Sequence, residues 1–360
     1  MCWPIYFGDL TPRGELAIIT LPVTFMNHVT MRDVAREAGV SVNTVSRALA
    51  GKPDVSPETR ARVLKVAERL GYQPNRLARG LRSNKTFTIG VIVTDIANPF
   101  FAELVKGVEE VARQNGYSII LEDTSEDPEK EARAIQVMLS ERVDGLLLTP
   151  VQSKKEVVEK VLKSKVPLVL MGRYFSDLEA PYVVSDDVRG AILATEHLID
   201  LGHRNIAHVA GPLHISSAQD RLSGYKQALR EHGIPAREEV ILTGAVTLRD
   251  GYEAGKELLK LKTLPTAVFA YSDLVAIGLM QALMEEGVKI PEDISLVGYD
   301  DIEFSAYTKV PLTTVRIPKR ALGQKAVRML LVSLRDGALP DKCGKKLQVE
   351  LIIRSSTARR

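Results

Sequence analysis

Two groups of side chains in this sequence could do chemistry, and neither has the pattern of a catalytic centre. The first lies in the run SVNTVSRALA. Asn43 offers an amide that can pair bidentately with adenine, Arg47 a guanidinium that matches guanine, and Val42 an apolar surface for a thymine methyl. Ser41, Thr44 and Ser46 are short hydroxyls suited to phosphate oxygens, which fix register without reading bases. Taken one at a time, each of these residues suits a solvated surface helix at least as well. The second group stands at the ends of apolar runs: Asp95, Arg173, Ser272, Asp273, Asp300 and Asp301, with Asn98-Pro99-Phe100-Phe101 just beyond Asp95. Aromatic faces can stack on a flat ring or on the apolar face of a sugar, and an amide supplies paired donors and acceptors. Plainer roles exist for these as well. Phe100 can pack in a core, Asp95 and Asp273 can cap the helices that follow them, and Arg173 can bridge two lobes.

Other chemistries find no support. There is no G-x-S-x-G elbow, no P-loop, no H-E-x-x-H and no Gly-x-Gly-x-x-Gly after the first strand. His197, His203 and His208 are spaced so that they share no helical face, which favours helix-end and core roles over a metal site. Asp300–Asp301 and Asp186–Asp187 are adjacent pairs whose side chains diverge, a poor arrangement for acid/base work. Cys2 and Cys343 are too few for a disulfide framework or a zinc site. No metal and no cofactor is expected. No apolar run approaches the roughly 18–20 residues of a transmembrane helix.

The elements that would position the first group come early. Thr30 is a good N-cap, with Asp33 in the first turn where a carboxylate suits the helix dipole. The segment MRDVAREA buries Val34, Ala35 and Ala38 and stops at Gly39. Ser41 caps the next helix, and Ser56 a third with Pro57 at its first position. Val63, Val66, Ala67 and Leu70 give that helix an apolar stripe, and Gly71 ends it. Helix, glycine-containing turn, helix is the arrangement that lays a second helix in the major groove. Charge agrees: residues 30–85 hold twelve Lys/Arg against five Asp/Glu, while the whole chain nets only +3. A basic module on an acidic body points to a polyanion at one end. In the following PNRLARGLRSNK, Asn75 can contact phosphate, and Ala78 and Leu81 form an apolar edge able to enter the minor groove or to pack as a linker.

The second group needs a larger scaffold, and 360 residues are too many for one ordinary core. From residue 86 onward, short Ile/Val/Leu runs (FTIGVIVTD, YSIILED, DGLLLTP, VPLVLMG, NIAHVAG, EVILTG, TAVFAYSD, ISLVGYDD) alternate with helical periods near 100–115, 128–141, 154–164, 188–201, 217–232, 248–262 and 274–287. Repeated β–α units predict parallel sheets covered on both faces, with ligands bound at the carboxyl ends of the strands. Residues 1–28 show no clean period. They suggest a misassigned start, with the natural one at Met26; a disordered extension and a signal peptide are the alternatives.

The run VTMRDVAREAGVSVNTVSRALAGKPDVSPETRARVLKVAERLGYQPNRLARGL resembles the headpiece and hinge of the lactose/purine repressor family of bacterial regulators, and the likeness extends over roughly residues 28–358. Residues 86–360 are similar to periplasmic sugar-binding proteins. The resemblance implies an all-α helix-turn-helix headpiece followed by an α/β core of two Rossmann-like parallel-sheet lobes. It implies Val42, Asn43 and Arg47 as base readers and Thr30, Ser41, Thr44, Ser46, Ser56 and Asn75 as backbone contacts. Ala78 and Leu81 would form a minor-groove hinge. Arg173 in LMGRYF, Arg221 in DRLSGY and Asp300 in VGYDD match the family's ligand contacts, beside Asp95, Asn98, Phe100, Phe101, Ser272 and Asp273. Four departures stand out. Ala50 replaces a usual asparagine, Gly172 a frequent aspartate, Ser272 an asparagine and Val246 a frequent aromatic. The cleft thus has fewer polar partners than a sugar receptor is expected to hold.

The expected boundaries are 1–28 for the extension, 29–74 for the headpiece, 75–85 for hinge and linker, and 86–360 for the effector-binding and dimerisation core. The expected function is a cytoplasmic, non-enzymatic transcriptional regulator, a repressor, that binds a palindromic operator in double-stranded DNA as a homodimer. A small sugar-like effector would control it, ahead of a sugar phosphate, a nucleobase or a protein co-regulator. The C-terminal RSSTARR, without a leucine heptad, suggests dimers and not tetramers. A solute receptor for transport or sensing is the alternative, but it leaves the basic headpiece without a purpose.

Overall fold

The computed structural model describes residues 29–72, 85–164, 166–337 and 344–360. The expectations for residues 1–28, Asn75, Ala78, Leu81, Cys2 and Cys343 lie outside the described residues. The described chain forms two compact units, 29–72 and 85–360.

The first unit is a three-helix cluster of α1 (Met31–Ala38), α2 (Val42–Leu49) and α3 (Pro57–Arg69). Thr30 closes a capping box with Asp33, and the Ser41 and Ser56 side chains accept from Thr44 N and Thr59 N. Gly39 at φ 64° ends α1 in the left-handed region, where a side chain would be strained. Val34, Val45 and Val63, one from each helix, are fully buried where the three helices meet.

The second unit consists of two six-stranded sheets. Lobe 1 has the order β11-β5-β4-β3-β1-β2, and lobe 2 the order β12-β10-β9-β8-β6-β7. Their strands are β1 (Thr88–Val93), β2 (Ser118–Asp123), β3 (Gly145–Leu148), β4 (Leu168–Met171), β5 (Tyr182–Ser185), β6 (Ile206–Val209), β7 (Ile241–Leu242), β8 (Ala267–Ala270), β9 (Ser295–Asp300), β10 (Thr313–Arg316), β11 (Gly344–Leu347) and β12 (Glu350–Ile352). All pairings are parallel except that of β12 with β10. The helices are α4 (Pro99–Gln114), α5 (Pro128–Ser140), α6 (Lys155–Lys163), α7 (Asp187–Asp200), α8 (Ser216–Glu231), α9 (Leu248–Leu259), α10 (Asp273–Glu285) and α11 (Lys319–Asp336).

Seven core helices and eight strands match the apolar runs. The reading left out β5, β10, β11, β12 and α11, and EVILTG shrinks to the two-residue β7 behind a 3₁₀ turn. β11, GKKL, carries two lysines and no apolar run, because it is an edge strand added from a distant part of the chain. The chain crosses between sheets three times: between β5 and α7, between β10 and α11, and between β11 and β12. Helix α11 then packs back on α4, where Gly107 faces the Arg320 carbonyl and Gly323 the Leu104 carbonyl so closely that neither position has room for a Cβ. The strands of both lobes end at the crossings, and the cleft lies there.

Candidate functional site

In the first unit, Val42, Asn43 and Arg47 are all exposed, while Val45 and Ala48 of the same helix are buried. An exposed face of this composition fits the expected base-reading role. The three N-cap hydroxyls have work inside the fold: Thr30 donates to Asp33 Oδ2 at 2.6 Å, Ser41 meets the Thr44 hydroxyl at 2.9 Å and Ser56 donates to Thr59 Oγ1 at 2.9 Å. Ser46 is half-buried on the same helix, and Ala50 stands exposed at its C-cap. Arg47 pairs with Asp54 of the α2–α3 loop, a contact that nothing in the sequence announced.

In the second unit a cavity of about 440 Å³ opens between the lobes. Lobe 1 lines it with Thr94, Asp95, Asn98, Phe100, Phe101, Ser125, Glu126, Thr149, Gly172, Arg173 and Ser185; lobe 2 contributes Ser217, Arg221, Val246, Thr247, Tyr271, Ser272 and Asp300. Eight of the nine expected effector residues are therefore together. The ninth, Asp273, is not. It is fully buried at the start of α10, where Oδ1 accepts from the Thr314 hydroxyl at 2.5 Å and Oδ2 from Ile302 N at 2.8 Å. Its role is to tie α10 to the loop after β9 and to β10, and the cavity belongs to its neighbour Ser272. Burial and the nearby Asp300 carboxylate raise its pKa well above the usual carboxylate range.

Helix starts place several of the lining groups. Asn98 caps α4 by accepting from Phe100 N at 3.0 Å through Oδ1, and the same side chain lines the cavity. Phe100 and Phe101 pack edge to face at 4.9 Å, with Phe101 anchored in the core and Phe100 half-buried. Ser272 caps α10 by accepting from Val275 N. Gly172 has φ 70°, a left-handed backbone in which a side chain would be strained, while a Cβ there would make only an ordinary contact, at 3.8 Å, with the Phe100 ring.

Both cavity arginines are buried and charge-paired. Arg173 forks onto Glu126 at 2.9 and 2.5 Å and donates to the Pro150 carbonyl at 3.0 Å. All its partners lie in lobe 1, so it does not bridge the lobes. Arg221 donates from Nε to Asp187 Oδ1 at 3.0 Å and from Nη1 to the Tyr271 carbonyl at 2.6 Å, and its Nη2 lies 3.6 Å from Asp300 Oδ1. The Tyr299 ring lies 3.7 Å and the Tyr271 ring 4.7 Å from the guanidinium carbon, a cation–π enclosure. Burial works against both charges, but the carboxylates outweigh it and raise both pKa values. Asp300 has φ 106° and Asp301 φ 50°, a strained turn held by Lys319, whose Nζ donates to both carbonyls at 2.5 and 2.8 Å. Burial pushes the Asp300 carboxyl up to about 6, against the pull of Arg221 and Lys319.

In lobe 1, the hydroxyls of Thr94 and Thr149 in the cavity lining, the Thr124 hydroxyl and Glu131 Oε2 are buried without a protein partner. Glu131 accepts from Val151 N through Oε1 at 2.8 Å, and burial pushes its carboxyl up to about 7. At one lip, Tyr174 N donates to Ser216 Oγ at 3.1 Å and Ser216 N to Gln152 Oε1 at 2.8 Å, linking the lobes. Glu126, Asp187 and Tyr271 were missed by sequence reasoning; a carboxylate within reach of each cavity arginine was a foreseeable need, but its position was not. His203 and His208 are buried, His203 among the Thr266 and Ser295 hydroxyls and His208 stacked between Tyr225 and Phe269. Among the described residues no cluster could hold a metal ion, and no helix is long and apolar enough to cross a membrane.

A helix-turn-helix unit carried in one chain with a two-lobed, ligand-enclosing α/β core is the architecture of DNA-binding regulators built on a periplasmic-binding-protein scaffold. Residues 30–75 match the model for bacterial regulatory proteins of the lacI family, and residues 86–345 that for periplasmic binding proteins and the sugar-binding domain of the LacI family. The chain belongs to the LacI family of bacterial transcriptional regulators. It is 42% identical to catabolite control protein A of Priestia megaterium over 84% of this chain and 92% of that one. It is 40% identical to the ribose operon repressor of Haemophilus influenzae, over 85% and 92%. Among solved structures it is similar to the lac repressor dimer bound to operator and an anti-inducer, with a TM-score of 0.81 and 31% identity over 92% of this chain and 99% of that one.

Proposed function

We propose that this chain represses transcription as a homodimer on a near-palindromic operator, under the control of a small sugar-like effector held between its lobes. In this reading Val42, Asn43 and Arg47 read bases, while Thr30, Ser41, Thr44, Ser46, Ser56 and Asn75 hold the backbone. Asp95, Asn98, Phe100, Phe101, Arg173, Arg221, Ser272 and Asp300 receive the effector. The observation that carries it is the pairing, in one chain, of an exposed amide–guanidinium face on a capped helix with a cavity lined from two lobes by buried, oriented arginines. A dimer sets two such helices about one DNA turn apart. Ala78 and Leu81, in the 75–85 hinge between the 29–74 headpiece and the 86–360 core, would open the central minor-groove step. The effector acts only through unequal affinity for two lobe arrangements, a coupling of about 1–3 kcal/mol. The work is binding and not turnover, and the place is the cytoplasm, where the DNA is.

Fluorescence anisotropy tests this with labelled DNA from upstream of the protein's own gene against scrambled DNA, at two salt concentrations. Specific binding about 10³-fold or more above non-specific is the expected result, followed by release or tightening with one member of a sugar panel. Equal binding to both DNAs, abolished by salt, would overturn it and promote the solute-receptor reading.

A further inference from the structure

Asp54 places a carboxylate beside the base-reading face of α2, where an approaching phosphate backbone would repel it. The placement is rigid. Val55 is buried in the three-helix core, Ser56 caps α3, Lys52 N donates to the Arg47 carbonyl at 3.1 Å, and Arg60 donates to the Lys52 carbonyl at 2.5 Å. The loop therefore holds Asp54 against Arg47 along one side of a shallow concavity of about 320 Å³ that Asn43 also lines. Both partners are about half exposed, a setting in which an ion pair contributes little to stability. Stability does not account for it.

We infer that Asp54 is a positioning residue that sets the operator specificity of Arg47. The inference rests on the reading of Arg47 as a base reader. The contact uses Arg47 Nη2. A guanidinium has five N–H donors, and with those of Nη2 turned to Asp54 three remain on Nε and Nη1, more than the two that O6 and N7 of a guanine require. Tethered this way, the side chain presents one edge to the groove and cannot swing to the nearest phosphate. The pair strengthens as docking expels water and the local dielectric falls. Without the tether, Arg47 becomes one more mobile cation: non-specific affinity rises while discrimination at its guanine falls.

The experiment is selection from a randomised duplex library by the full chain and by its D54N, D54E, R47A and R47A/D54N variants. Binding of the wild-type-selected duplex and its single-base variants is then measured at two salt concentrations. The position whose preference R47A loses identifies the guanine read by Arg47. Replacing that base should weaken wild-type binding about 10-fold or more and D54N binding by only a few-fold, with D54E keeping most of the discrimination. D54N should also bind scrambled DNA more tightly, with a log–log salt slope steeper by about one. R47A/D54N should select the same motif as R47A. A D54N variant with undiminished discrimination at that guanine overturns the inference, as does a changed preference at another position, which would make Asp54 a base reader itself. A wild-type chain that enriches no motif instead sinks the DNA-reading function, and this role with it. Asp54 is exposed, so unchanged thermal melting in D54N is the expected control.

Discussion

Arg221 Nε meets Asp187 Oδ1 at 3.0 Å, with both side chains buried at the point where the chain first passes from lobe 1 to lobe 2. The pair fixes the start of α7 against α8 and leaves the remaining guanidinium edge turned towards Asp300 and the cavity.

Removing one member of such a pair strands the other. Arg221→Ala leaves Asp187 and Asp300 buried without their cation and should cost about 3–5 kcal/mol of stability in urea unfolding, along with effector response. Asp187→Asn keeps the shape and should cost less. A loss below 1 kcal/mol for Arg221→Ala would show that water replaces the guanidinium and that the pair does not hold the crossing.

Glu131 predicts a pH dependence with a definite sign. Burial holds its carboxyl up at about 7, against about 4.3 for an unfolded chain. The folded state keeps the proton between those values, so this stabilising contribution is whole below about pH 4 and is lost as pH rises through 7. His208 opposes it: burial holds its imidazole down to about 4, so its contribution is present above about pH 6.5 and lost as pH falls through 4. Comparing Glu131→Gln with wild type at each pH cancels the histidine. The variant should gain about 1–3 kcal/mol relative to wild type between pH 5 and pH 8 in urea titrations. A difference that stays flat across that range would place the ionisation of Glu131 elsewhere.

The α4–α11 contact predicts a steric effect without any change in polarity. A methyl group at Gly107 would fall on the Arg320 carbonyl, and one at Gly323 on the Leu104 carbonyl. Gly107→Ala and Gly323→Ala should each destabilise the core by about 1–3 kcal/mol, although alanine is the better helix former. Urea midpoints equal to or above wild type would mean that the two helices slide apart freely.

Ser41→Ala should loosen the reading helix alone. The cap contributes about 1 kcal/mol, so amide exchange should quicken over Val42–Val45 while the melting of the two-lobed core stays unchanged. DNA affinity should fall with it, and unchanged exchange with lower affinity would show that Ser41 acts through its contact with the DNA backbone alone and that the cap adds nothing.

Local patterns carried most of this protein into view. The caps Thr30, Ser41 and Ser56, the stops at Gly39 and Gly71, and the alternation of apolar runs with helical periods are short-range signals, and each determines its element with little help from the rest of the chain. The family motif placed Asn98, Arg173, Arg221 and Asp300 at one cavity, because strand ends in a parallel sheet all open on the same side. What a residue does there is another matter. Ser272 and Asp273 are neighbours at one helix start, yet only Ser272 lines the cavity, because the first turn aims Asp273 at Thr314 and Ile302. Glu126 behind Arg173, Asp187 behind Arg221 and Asp54 beside Arg47 are separated from their partners by 47, 34 and 7 positions. Composition and periodicity describe a chain and its neighbours along the chain. Which carboxylate meets which arginine depends on the loops and strand ends that folding brings side by side, and only the tertiary structure decided that.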